Sequence, residues 1–114
     1  MLGHWAVWVQ KAVRLLESVH SGEYDKDIWR TMSLANQITD SNAAFFDARN
    51  NFAGCIPGLH EVLRRQGLME GVWTLDPKEG LSPGQKEEID RVYRSYPHLN
   101  DDAFIAENID RWMK

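Results

Sequence analysis

Glycine and proline divide this sequence into short lengths, and that punctuation decides what the chain can build. Gly22, Pro57, Gly67, Pro77, Gly80, Pro83 and Pro97 fall between stretches in which apolar residues recur three or four positions apart. That is the period of an amphipathic helix and not the two-residue alternation of a strand. An all-α chain of five or six helices follows.

The spacing predicts a first helix from His4 to His20, with Trp5, Val9, Ala12, Leu16 and Val19 on one stripe and Trp8 and Leu15 widening it. A helix apolar around so much of its circumference expects cover on more than one side. Gly22 is placed to end it in a left-handed cap. Glu23 to Arg49 reads as one long or two shorter helices through Ile28, Met32, Ala35, Ile38 and Phe45. Pro57 then opens a short helix carrying Leu59, Val62 and Leu63 inward, with Glu61 and Arg65 as an i,i+4 pair on a solvated outer face, and Gly67 stops it.

Residues 72–81 read as extended, because Pro77 and Gly80 oppose a helix there. Ser82, Pro83 and Gln85 form a helix start of the capping-box kind. The helix that follows carries Ile89, Val92 and Tyr93 inward, with Glu87 and Arg91, then Asp90 and Arg94, paired outside. A last helix is capped by Asn100, starts with Asp101 and Asp102, and buries Phe104, Ile105, Ile109 and Trp112. Residues 1–114 thus read as a single helical domain: long helices over 1–50, a short helix within 51–71, the extended segment 72–81, and a helical hairpin over 82–114.

Composition excludes several function classes. A net charge of -4 leaves no clustered Lys and Arg to displace counterions, so no nucleic-acid partner is expected. The opening run has no basic lead and is interrupted by Lys11 and Arg14, and no stretch reaches the roughly 20 apolar residues of a membrane span. The one cysteine, Cys55, rules out an internal disulfide and a cysteine zinc cluster, and suits a reducing, cytoplasmic setting.

No catalytic, cofactor or metal site emerges. His60 and Glu61 begin a pattern resembling a zinc protease helix, but the second histidine is replaced by Arg64. His4, His20, His60 and His98 are dispersed over separate elements. Cys55 sits between Gly54 and Ile56 with no cation to favour a thiolate, so it reads as structural. Asp101, Asp102 and Glu107 lack the alternating oxygens and central glycine of a calcium loop.

Phe52 and Gly54, the Pro57-Gly58 turn, the helix through Glu61, Val62 and Leu63, Gly67-Leu68, and Leu81-Ser82-Pro83 together form a pattern. It resembles the C-terminal helical region of the dihydrodipicolinate synthase and N-acetylneuraminate lyase family, strongly over 52–83 and loosely elsewhere. The resemblance implies that the first long helix corresponds to the last helix of a TIM barrel, followed by the extra C-terminal helices. It also implies a lineage of enzymes that hold a 2-oxo acid as a Schiff base on a strand lysine. That lysine, the family's catalytic tyrosine and its Thr-Thr pair have no counterpart here. Lys11, Lys26, Lys78, Lys86 and Lys114 all lie on amphipathic helices, in loops or at the terminus.

The chain alone is therefore expected to be inactive and to associate, either with itself as a homo-oligomer, with a barrel segment, or, as a stand-alone interaction module, with another protein. Five tryptophans, Trp5, Trp8, Trp29, Trp73 and Trp112, are many for a small helical chain; core packing is the default for any single one, and Trp5, Trp8 and Trp112 are the interface candidates.

Overall fold

The computed structural model describes residues 3–114. Among them five α-helices follow one another with no strand: α1 (Val9–His20), α2 (Ile28–Phe45), α3 (Cys55–Arg65), α4 (Gln85–Ser95) and α5 (Asp102–Trp112), with a 3-10 turn at Ala48–Asn50. The chain is all-α.

The first helix starts later than its periodicity suggests. Trp8 takes a left-handed conformation (φ 56°, ψ 32°), so residues before it fold back as a turn closed by the Val7 amide donating to the His4 carbonyl at 2.9 Å. A left-handed non-glycine residue costs roughly 1–2 kcal/mol. The return is burial: Trp8 is 1% exposed, with ring centroids 4.8 Å from Phe45 and 5.3 Å from Tyr93. Placing that indole inside outweighs one extra helical turn. Trp8 therefore belongs to the core and offers no surface to a second chain.

Helix ends follow their punctuation. After α1, Gly22 (φ 74°) donates to Val19 O at 3.1 Å and Glu23 to Ser18 O at 3.1 Å, the double bond of a Schellman cap. Gly67 (φ 77°) ends α3 in the same way, with Leu68 reaching back to Leu63 O at 2.9 Å. Asp27 caps α2 by accepting from the Arg30 amide at 2.9 Å. Residues 72–81 remain non-helical, tied locally by the Thr74 hydroxyl to Asp76 O at 2.7 Å and Glu79 O at 3.0 Å.

The core gathers Val7, Trp8, Ala44, Phe45, Val62, Ile89 and Val92, with Leu59, Leu63, Tyr93 and Tyr96 packed around them. It is formed by the C-terminal half of α2, by α3 and α4, and by the turn that precedes α1. Gly58 permits the closest approach: a Cβ there would collide with the Phe45 carbonyl oxygen. A polar knot lies beside it. Asp47 accepts from the Gly54 amide at 2.9 Å, from Asn50 Nδ2 at 2.6 Å and from the Ser82 hydroxyl. Buried Gln85 accepts from the Ser82 amide at 3.0 Å and donates to Gly54 O at 2.8 Å. The glutamine arm of the expected capping box is present, while the serine hydroxyl is diverted to Asp47.

Two sets of ion pairs differ from the local expectation because tertiary partners compete with i,i+4 neighbours. Glu61 does meet Arg65 at 2.9 Å, yet it is 3% exposed and also holds Arg64 at 2.8 Å, so this face is covered. Arg65 continues to Asp90 at 2.6 Å and lies 5.2 Å over the Tyr93 ring. Arg91 pairs with Asp40 at 2.7 Å and Glu88 at 2.9 Å in place of Glu87.

The described chain extends 48 × 37 × 25 Å with a radius of gyration of 15.0 Å. A compact domain of about 100 residues has roughly 13 Å. α1 contributes no buried residue of its own.

Candidate interaction surface

α1 is where the sequence and the fold disagree most usefully. Its apolar residues should seek cover, but Val9, Val13, Leu16 and Val19 are all 49–55% exposed. Spacings of four, three and three residues put them in one row. Trp5 and Ala12 join Val9, Val13, Leu15 and Leu16 around a shallow apolar depression. Val13 was absent from the sequence-derived stripe, although its position four residues after Val9 is the signal that finds it.

The row runs into a groove of about 430 Å³ between α1 and α5, whose walls include Val9, Val13, Leu63, Leu68, Phe104 and Trp112. Trp112 is 43% exposed rather than buried with Ile105, and its ring packs 5.7 Å from Phe104. It lies at the end of α5, beyond reach of the core. Trp5 is half-buried, its ring 4.5 Å from His4. Trp5 and Trp112 thus border the same exposed band, while Trp8 lies beneath it.

Hydrogen bonds hold α1 at its first turn. Buried Asp101 accepts from the Gln10 amide at 3.0 Å and from Gln66 Nε2 at 2.8 Å, and Gln66 also donates to Asp102 at 2.9 Å. The acidic start of α5 therefore joins three helices, beyond any service to its own dipole. Asn100 contributes by accepting from the Asp102 amide at 3.2 Å, while Asp101 takes the cap position.

The other chemistry-bearing residues stay apart. Among the described residues no group of three His, Cys, Asp or Glu side chains could hold a metal ion. Lys26, Lys78, Lys86 and Lys114 are exposed and Lys11 is half-buried. Cys55 begins α3 half-buried, and burial, reinforced by Glu79, pushes its thiol up. The Glu61 carboxyl is held below its ordinary range chiefly by Arg64, and that of Asp40 by Arg91. These shifts follow from structural ion pairs.

Among the described residues no helix is long and apolar enough to cross a membrane. No family model matches the chain, and no curated protein or solved structure matches it.

Proposed function

We propose that this chain is a non-catalytic helical scaffold, a barrel-less relative of the dihydrodipicolinate synthase and N-acetylneuraminate lyase family that works by self-association through α1. The carrying observation is the uncovered row Val9, Val13, Leu16 and Val19. In the fold that residues 52–83 resemble, a helix in this position lies against a barrel sheet, and its apolar face is the natural place for a new contact.

The size of the row supports a second copy as its occupant. Four half-exposed aliphatic side chains with Trp5 and Trp112 present on the order of 500 Å² of apolar surface. A standard interface uses about 800 Å² per partner, so the row can supply its apolar centre. A two-fold pairing of α1 against α1 would cover both rows at once.

Light scattering tests the proposal. A dimer is expected, reduced to a monomer by Leu16→Asp with Val13→Asp, while circular dichroism stays unchanged. A monomeric parent chain would overturn self-association. Mass spectrometry after pyruvate and borohydride treatment is expected to show no covalent adduct; an adduct would overturn the non-catalytic reading.

A second reading rests on the breadth of the α1 face. Apolar residues from Leu15 round to Val13 exceed the narrow seam of a helix pair and suit a flatter partner. The partner is then the barrel of a pyruvate-dependent lyase to which this chain contributes its C-terminal helices. A monomer that gains lyase activity when combined with a strand-bearing polypeptide would favour it.

A further inference from the structure

On the opposite side of α1, facing α2, lies a cavity of about 220 Å³ bounded by His4, Trp5, Trp8, Lys11, Leu34 and Ile38, with Arg14 also on its wall. His4 is 1% exposed, and neither of its ring nitrogens has a hydrogen-bond partner. Leaving a buried polar group unpaired costs about 1–3 kcal/mol. The Asn42 amide oxygen is likewise buried and unpartnered.

We infer that this cavity binds a small organic monoanion with a flat apolar body, of the aryl-carboxylate class. The indoles of Trp5 and Trp8 and the side chains of Leu34 and Ile38 supply an apolar wall for the body. Lys11 and Arg14, one turn apart on α1, supply positive charge for the carboxylate, and neither is in an ion pair among the described residues. Neutral His4 supplies one N–H, the donor that a carboxylate oxygen accepts.

The dimensions set the ligand's size. A dry cavity of about 150 Å³ accommodates benzene, so the observed volume suits a ring with a short acid side chain. A cation is excluded by the two basic side chains. A dianion is disfavoured because most of the lining is apolar and would strip its hydration. The site lies on the α2 side of α1 and shares Trp5, Arg14 and Leu15 with the outward grooves but not Val13 or Leu16, so the Val13→Asp and Leu16→Asp changes that test self-association leave its lining intact.

The probe is 3-phenylpropanoate, compared with the uncharged 3-phenylpropan-1-ol by calorimetry and by NMR of the Trp8 indole N–H and His4 imidazole. The acid is expected to bind at least about tenfold more tightly than the alcohol, the worth of one charge-assisted bond. Lys11→Gln with Arg14→Gln should erase that difference without affecting the fold, since Arg14 is exposed, Lys11 is half-buried, and neither is in an ion pair among the described residues. Ile38→Trp should fill the cavity and remove binding of both probes. Equal affinities for acid and alcohol, unshifted His4 and Trp8 signals at saturation, or an acid preference that survives loss of both cations would overturn the inference.

Discussion

The region around α3 and the region around α1 use similar numbers of apolar residues to opposite ends. In α3, Val62 is fully buried, Gly58 brings two backbones together, and Glu61 is locked between two arginines. α1 has an equally apolar face and no buried residue. Amphipathicity alone therefore does not say whether a face serves the interior or a partner. The difference lies in the neighbours: α3 is clasped by α2 and α4, whereas α1 is fastened at its first turn by the Gln10 amide to Asp101.

Gly58→Ala should break the comparison most severely. Its Cβ would meet the Phe45 carbonyl, a backbone atom that cannot rotate away. Forcing α2 and α3 apart is expected to destabilise the chain by about 3 kcal/mol or more. Urea unfolding would measure it. A loss below about 1 kcal/mol would show that the α2–α3 contact is looser than its geometry states.

Titration of His4 is the next largest effect and belongs to the junction of the two regions. Burial pushes this imidazole from 6.5 down to about 4. The unfolded chain then binds the proton first as pH falls. The associated stability is complete above pH 6.5 and is lost as pH drops toward 4, with a total on the order of 3 kcal/mol. Asp40 and Glu61 are shifted down by their arginines, so their contributions persist until lower pH. His4→Phe should flatten the pH dependence of urea unfolding between 6.5 and 4; an unchanged slope would place His4 in contact with water.

Gln85→Ala acts within the rigid region. It strands the Ser82 amide and the Gly54 carbonyl, which Gln85 satisfies together. About 2 kcal/mol should be lost. Gln85→Glu is the sharper control, because it retains the acceptor for Ser82 and replaces the donor to Gly54 by a second acceptor. If both variants unfold at the parent's urea midpoint, water enters the knot.

The helices were legible in the sequence where local signals act alone. Gly22 and Gly67 announce their caps, and Gln85 announces its reach back to Ser82. Residues whose roles depend on distant partners were not legible. Trp8 leaves the helical pattern to reach Phe45 and Tyr93, 37 and 85 positions away in the chain. Arg91 prefers Asp40 across the α2–α4 contact to Glu87 on its own helix. The interface candidates divide along the same line: Trp5 and Trp112 border the exposed band, and Trp8 does not. No periodicity distinguishes a tryptophan that packs inward through a left-handed turn from one that continues a helix.

Leu16→Ala should have the smallest effect on folding and the most informative. Leu16 is 55% exposed, so little of its side chain is withdrawn from water within one chain. Its loss should change the unfolding free energy at high dilution by less than about 0.5 kcal/mol, as for a surface substitution. At concentrations where α1 faces pair, the same change should weaken association by about tenfold, because each copy loses an apolar contact at the centre of the interface. Amide exchange separates the two contributions. α1 amides should exchange faster than those of α3 at high dilution and slow down with concentration in the parent but not in Leu16→Ala. Slow exchange in α1 at every concentration would mean that the single chain already holds this helix as firmly as α3, and the contrast between the two regions would disappear.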